Sequence, residues 1–232
     1  MAVINKGFYE SILFQREQKQ NRFFALYFLA AVIIYGTYSG QRNLSRQGRC
    51  MGNRKDSMER TMRKPGKISF IMISFVHETL YGLLRNPHKI LRSAGLLPGQ
   101  RVLEVGCGPG FFTVPAAEVV GPGGNILAFD VNPFAVEHVQ NKIDGSGVKN
   151  AKVIIADATG TNLPDHSFDL AFVFGLAYPL GKMDKIWREL NRVIKPGGTL
   201  SVEGGLRPPK EWFGFEESNG RISRYISRNR DV

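Results

Sequence analysis

The sequence predicts an α/β domain built on a doubly wound, mostly parallel sheet, ending in an antiparallel hairpin and preceded by a helical N-terminal extension. Three observations predict it. Short apolar runs alternate with helix-length segments from residue 101 to residue 202. Glycine clusters at 106–110, 121–124 and 196–198 punctuate them. Asn219-Gly220, a favoured two-residue turn, separates two further strand-like runs near the C-terminus.

Each element has its own signal. Phe70, Ile73, Val76, Leu80 and Leu84 recur at helical spacing, so 70–84 reads as a helix. Asn86-Pro87 breaks it, and Pro87 starts a second helix through Leu91 that Gly95 ends. After the turn Leu97–Gln100, Arg101–Val105 is the first strand and 106–110 a glycine-rich loop. Phe111–Val120 is a helix, Gly121–Gly124 a turn, Ile126–Phe129 the second strand and Pro133–Ile143 the next helix. Val153–Ala156 and Leu170–Phe174 are the third and fourth strands. Met183–Val193 is a helix stopped by Pro196-Gly197-Gly198, and Thr199–Val202 is the fifth strand. Phe213–Ser218 and Arg221–Ile226 form the hairpin. No internal repeat is present.

Charge is distributed unevenly over the 232 residues. Residues 1–67 hold 13 Lys or Arg against 4 Asp or Glu, a net of +9, which leaves +2 of the total +11 for the remainder. The basic character thus belongs to the N-terminal segment. A near-neutral domain argues against reading the whole chain as a nucleic-acid binder. Cys50 and Cys107 lie far apart, so neither a metal site nor a disulfide framework is expected.

Residues 1–68 read as an extension and 69–232 as the domain. Residues 23–41 carry no charge and are flanked by Arg22 and Arg42. As a helix this run would extend about 28 Å, close to the hydrocarbon thickness of a bilayer, so a transmembrane helix is expected there, with a buried helix as the alternative. No clean small-x-small site follows, which disfavours a cleaved signal. Basic residues are slightly denser after the run than before it, placing the following domain in the cytoplasm as part of a single-pass membrane protein. Without a span, the location is simply cytoplasmic. Residues 40–68 are a basic linker, suited to lie near anionic lipid or else a disordered segment without a role.

The chemistry gathers at strand ends. Val102-Leu103-Glu104-Val105-Gly106-Cys107-Gly108-Pro109-Gly110 has a G-x-G-x-G loop, which lets backbone approach a bound nucleoside. A dinucleotide fingerprint would place its third glycine at position 111, which is Phe111. Asp130, ending the second strand, can accept from both ribose hydroxyls or cap the helix that begins at Pro133. Asp157, after the third strand, is a ligand-binding acid or an Asx turn. Glu104, a charge inside a strand, needs a partner.

This set resembles class I S-adenosylmethionine-dependent methyltransferases. E-V-G-C-G-P-G-F-F-T is similar to their first motif, and the likeness covers about residues 70–226, nearest the small-molecule branch that includes ubiquinone and menaquinone biosynthesis methyltransferases. The resemblance implies a Rossmann-like fold with S-adenosylmethionine as cofactor. It also implies that Gly106, Cys107, Gly108 and Gly110 form the loop around it, with Phe174 nearby. Glu104 would orient the loop and lie near the methionine amino group. Asp130 would hold the ribose, with Val131 against the adenine face. Asp157 would accept from the adenine amino group, with the Ala158 amide meeting a ring nitrogen. Leu163-Pro164-Asp165-His166-Ser167-Phe168-Asp169 resembles the family's L-P-x-x-x-F-D stretch, in which Asp169 supports the fold and His166 is an exposed turn residue.

Two departures bear on the acceptor. Phe174-Gly175-Leu176-Ala177-Tyr178-Pro179 lacks the acid or amide and paired prolines of base-modifying amino methyltransferases, and no His stands near Ala177. Catalytic residues are thus unassigned, with Tyr178 and His77 the only acid–base candidates; pocket lining and a plain helix position are the alternatives. His77, Glu78 and Tyr81 lie on the helix that closes over the cofactor in the family. Between Val202 and Phe213 the family inserts a full helix, whereas only Glu203 to Trp212, with Pro208-Pro209, is available here, so this side of the sheet is expected to be poorly covered. The leading reading is methyl transfer to a small-molecule or lipid-like acceptor by in-line displacement. A non-catalytic scaffold at a membrane and an RNA methyltransferase guided by the basic arm are the alternatives. Oligomeric state is not legible.

Overall fold

The computed structural model describes residues 85–175 and 182–228. All described residues belong to one unit, Phe70–Val232. The 70–84 helix and the apolar run 23–41 lie outside them.

The elements are α1 (Pro87–Ser93), β1 (Arg101–Val105), α2 (Thr113–Val120), β2 (Asn125–Asp130), α3 (Pro133–Ser146), β3 (Ala151–Ile155), β4 (Phe168–Val173), α4 (Met183–Val193), β5 (Ile194–Glu203), β6 (Phe213–Asn219) and β7 (Ile222–Ser227). The seven strands form one sheet in the order β3-β2-β1-β4-β5-β7-β6. β1 to β5 are parallel, and β7 pairs antiparallel with both β5 and β6. The expected sheet and its C-terminal hairpin are therefore present.

Local chemistry sets the helix starts. Asn86 accepts from the Lys89 amide and Pro87 takes the first helical position of α1; Asn132 and Pro133 repeat the device at α3, with Asn132 accepting from Phe134. In both, an Asn side chain satisfies an amide that has no intrahelical partner. The α3 helix runs three residues past the expected Ile143 and stops at Gly147, in the left-handed region.

Strand alternation sorts the sheet into two faces. Leu103, Val105, Phe129, Ala171, Val173, Leu200 and Val202 pack with Ile186, Trp187, Leu190 and Val193 of α4. Ala128 and Val153 point the other way, packing with Val139 and Ile143 of α3. Glu104 and Ser201 alternate onto that second face, where Ser201 Oγ donates to Ala94 O at the end of α1 (2.5 Å). Fully burying such side chains stabilises the fold by about 1.5–3 kcal/mol each.

Three expectations need correcting. β5 begins at Ile194, before the glycines read as a stop. Phe168 pairs with Ile194 and Leu170 with Thr199, so Lys195–Gly198 bulges out opposite Asp169. The hairpin turn is one residue later than Asn219-Gly220: Asn219 pairs with Ile222, leaving Gly220-Arg221 as the loop. Gly220, at φ 65°, then holds the first loop position, the one that demands a positive φ in a type II′ turn. Finally, no helix lies between β5 and β6, but that side is not bare. Leu206 and Trp212 pack against the α4-side core, Arg188 stacks over the Trp212 ring, and one turn closes on Pro209 O.

Candidate functional site

The carboxyl ends of β1, β2, β3 and β4 meet where the strand order reverses between β1 and β4, the crevice in which open α/β sheets bind ligands. Gly106 and Cys107 donate their amides to Phe129 O (2.9 and 3.0 Å), which folds the loop over the end of β2. Gly106, Gly108 and Gly110 have φ of 71°, 51° and 74°. Gly110 is demanded by space as well: a Cβ there would stand 2.7 Å from Val139 Cγ2 of α3. At Gly108 a Cβ would meet nothing within 4 Å, so the bend faces open space on its outer side.

Asp130 is the hub. Gly108 N donates to its Oδ2 (3.0 Å) and Asn132 N to its Oδ1 (2.8 Å). Its own carbonyl accepts from Ala156 N (3.2 Å), joining the end of β3 to the end of β2. An ionised carboxylate has about four acceptor positions, so two remain for a diol after the amides are served. Val131, beside it, is 41% exposed, an apolar side chain held in solvent at the rim. The helix-cap alternative for Asp130 fails, because Asn132 caps α3.

Glu104 is 3% exposed and accepts from Thr113 Oγ1 at the start of α2 (2.6 Å). Burial raises its pKa to about 8; the Thr113 hydroxyl offsets part of this, the Asp130 charge adds to it and Lys142 opposes it. The protonated form of this carboxyl is therefore favoured near neutrality. Burial also pushes the Cys107 thiol up, so it stays a neutral lining group. Phe174 is buried and stacks edge-on to Phe112 (5.2 Å), closing the floor between β4 and the loop.

Asp157 and Ala158 follow β3. Asp157 Oδ1 accepts from both Thr159 N and Thr159 Oγ1 (2.8 Å each), so the Asx turn is formed, and it holds the carboxylate at this same rim. Asp169 lies near the opposite, amino end of the central strand β4. Burial alone would raise its pKa, but Lys195 and the Arg101 amide hold it below the usual range, as suits a residue that locks the bulge. His166 adopts φ 45° in a turn, half-buried, its amide bonded to Arg192 O. Tyr178, His77, Glu78 and Tyr81 lie outside the described residues.

Sequence reasoning missed Asn132, Thr113 and Lys142. Asn132-Pro133 is a readable capping signature. Thr113 and Lys142 carry no local signal, because their partners, Glu104 and Pro109 O, lie across the fold. The described residues contain no cluster of His, Cys, Asp or Glu that would hold a metal, and none of their helices is long and apolar enough to cross a membrane.

Residues 96–206 match a family model described as a methyltransferase domain. A SAM-dependent methyltransferase from Aquifex aeolicus is 26% identical with a TM-score of 0.54, over 71% of this chain and 98% of that one. A structure from Methanococcus maripaludis, 15% identical, shares the fold with a TM-score of 0.60 over 80% of this chain and 99% of that one. Fold and matched region are thus similar to those of class I, S-adenosylmethionine-dependent methyltransferases.

Within that class the chain is similar to the quinone branch. The demethylmenaquinone methyltransferase of Geobacillus stearothermophilus is 33% identical over 59% of this chain and 58% of the relative. A ubiquinone/menaquinone biosynthesis C-methyltransferase of Ectopseudomonas mendocina is 36% identical over 47% of this chain and 43% of the relative. The chain therefore spans about half the length of the curated relatives it matches.

Proposed function

We propose that this chain is a methyltransferase that binds S-adenosylmethionine at the loop 106–110 and transfers its methyl group to a small-molecule or lipid-like acceptor. One observation carries the reading: the Asp130 carboxylate and the Gly108 amide are bonded to each other at the strand-order reversal, with open space on the outer side of the bend. Asp130 would hold the ribose diol. Val131 would lie on the adenine, with Asp157 and Ala158 at its edge. Glu104 would give up its proton to become the counter-charge of the amino group.

The cofactor, once bound, supplies a methyl group on a sulfonium, ready for in-line displacement by the acceptor. What the protein contributes is alignment, which can supply about 7–11 kcal/mol of the barrier. Burial of Phe112, Phe172 and Phe174 behind the loop keeps water from that side of the site. By analogy with the relatives, a quinone-type acceptor is the first to try. The non-catalytic and RNA-directed readings gain no support from the fold or the relatives.

Calorimetry of the full chain with S-adenosylmethionine, using Asp130→Ala as control, tests the reading. Micromolar binding lost in the variant supports it; absence of binding at millimolar cofactor refutes it. We also propose residues 23–41 as a membrane anchor with the methyltransferase domain on the cytoplasmic side. Retention in the membrane fraction after carbonate extraction is the expected result, and full release would dismiss the anchor.

A further inference from the structure

We propose that Lys142 is a positioning residue for the cofactor site: its ammonium clamps the glycine loop to α3 and serves as counter-charge to Glu104. The inference rests on the reading of the loop as the S-adenosylmethionine site. Lys142 Nζ donates to Pro109 O at 2.9 Å, across 33 residues of sequence. Pro109 has no amide hydrogen, so its carbonyl is its only backbone hydrogen-bonding group. One turn earlier on α3, Val139 fills the space against Gly110. The same helix begins at Asn132, whose amide holds Asp130 Oδ1. Both halves of the adenosyl grip, acid and loop, are thereby referred to one rigid helix.

The electrostatics point the same way. Glu104 is faced by the Thr113 hydroxyl from α2, the Asp130 carboxylate from β2 and the Lys142 ammonium from α3, with the Cys107 thiol in the loop; the β4 residue paired with it is Phe172. Lys142 is the cation in that set, and it favours the ionised carboxyl that Asp130 disfavours. A cationic methionine amino group requires Glu104 ionised. Lys142 thus makes Glu104 easier to ionise when the ligand arrives, and does so from a distance, through charge, while its hydrogen bond fixes the loop.

The experiment is calorimetric titration of the full chain with S-adenosylmethionine from pH 6.5 to 9, on the wild type, Lys142→Met, Lys142→Arg and Glu104→Gln, with thermal unfolding of each. Lys142→Met should bind about tenfold more weakly at neutral pH, the loss expected for one charge-assisted hydrogen bond. Its affinity should also begin to fall at a higher pH than in wild type. Lys142→Arg should restore the wild-type profile, and Glu104→Gln should have no step to move. A purely structural role would lower the melting temperature of Lys142→Met and leave the pH profile in place. That result, wild-type affinity in Lys142→Met, or a wild-type profile without a step would each overturn the inference. Failure of the wild type to bind at any pH would instead remove the cofactor reading beneath it.

Discussion

Replacing Gly110 by alanine perturbs the loop at its tightest point, and the cost follows from two separate features. Gly110 sits at φ 74°, where an L side chain costs roughly 1–2 kcal/mol. The new Cβ would also stand 2.7 Å from Val139 Cγ2, in a fully buried position, and overpacking of this kind costs roughly 1–3 kcal/mol. Together Gly110→Ala should destabilise the domain by about 2–5 kcal/mol. For a domain of this size that lowers the melting temperature by roughly 4–20 °C. Val139→Ala alone should also destabilise, by roughly 2 kcal/mol, because it empties a packed site. In the double variant the clash is gone but the backbone strain remains, so the two losses should be less than additive by about 1–3 kcal/mol. Urea denaturation of the four proteins measures this coupling. Additivity within about 0.5 kcal/mol would refute the claim that α3 presses on the loop through Val139.

Further outcomes follow from other contacts. Glu104 binds its proton more tightly folded (about 8) than unfolded (4.5), so unliganded stability should fall as pH rises between those values, by at most about 1.4 kcal/mol per unit. Urea melts across that window should show the decline in wild type and not in Glu104→Gln. Cofactor binding near pH 7 should release a proton, seen as a dependence of calorimetric enthalpy on buffer ionisation heat and lost in the same variant. Glu189, held near pKa 2 chiefly by Arg192, ties the Thr161 amide and hydroxyl to α4. Its folded pKa is lowered, so that stabilisation is present above about 4.5 and lost as pH falls towards 2; Glu189→Gln should flatten this acid limb and cost roughly 1–3 kcal/mol at neutral pH. Glu203→Gln should also destabilise, by roughly 1–3 kcal/mol in chemical denaturation, because it removes the buried charge that meets Arg85 at 2.6 Å and Arg221 at 3.6 Å.

The parts of this fold that were legible in the sequence are those whose cause is local. Asn-Pro pairs start α1 and α3, short apolar runs mark β1 and β4, and Asn219-Gly220 announces a turn. What failed was decided by partners distant in the chain. The glycines 196–198 look like a stop, yet Ile194 is recruited by Phe168 before them. The turn moved by one residue because pairing of Asn219 with Ile222 fixes the register. The same division holds at the site. The loop glycines and Asp130 lie at strand ends that periodicity reveals. Thr113 and Lys142 matter through Glu104 and Pro109 O, which only the packed helices bring near. The gap between Val202 and Phe213 was read correctly as too short for a helix, but Leu206 and Trp212, each unremarkable in sequence, supply the cover.

That short connection from Glu203 to Trp212 separates two design problems. Everything that would grip the adenosyl moiety is contributed by β1, β2, β3 and the helices behind them, on the far side of β4. Exposed residues of the connection past β5, Arg207, Lys210 and Glu211, can be exchanged while Leu206 and Trp212 keep their packing on the core. On the proposed reading, acceptor selectivity would then be adjustable at this connection separately from the cofactor site.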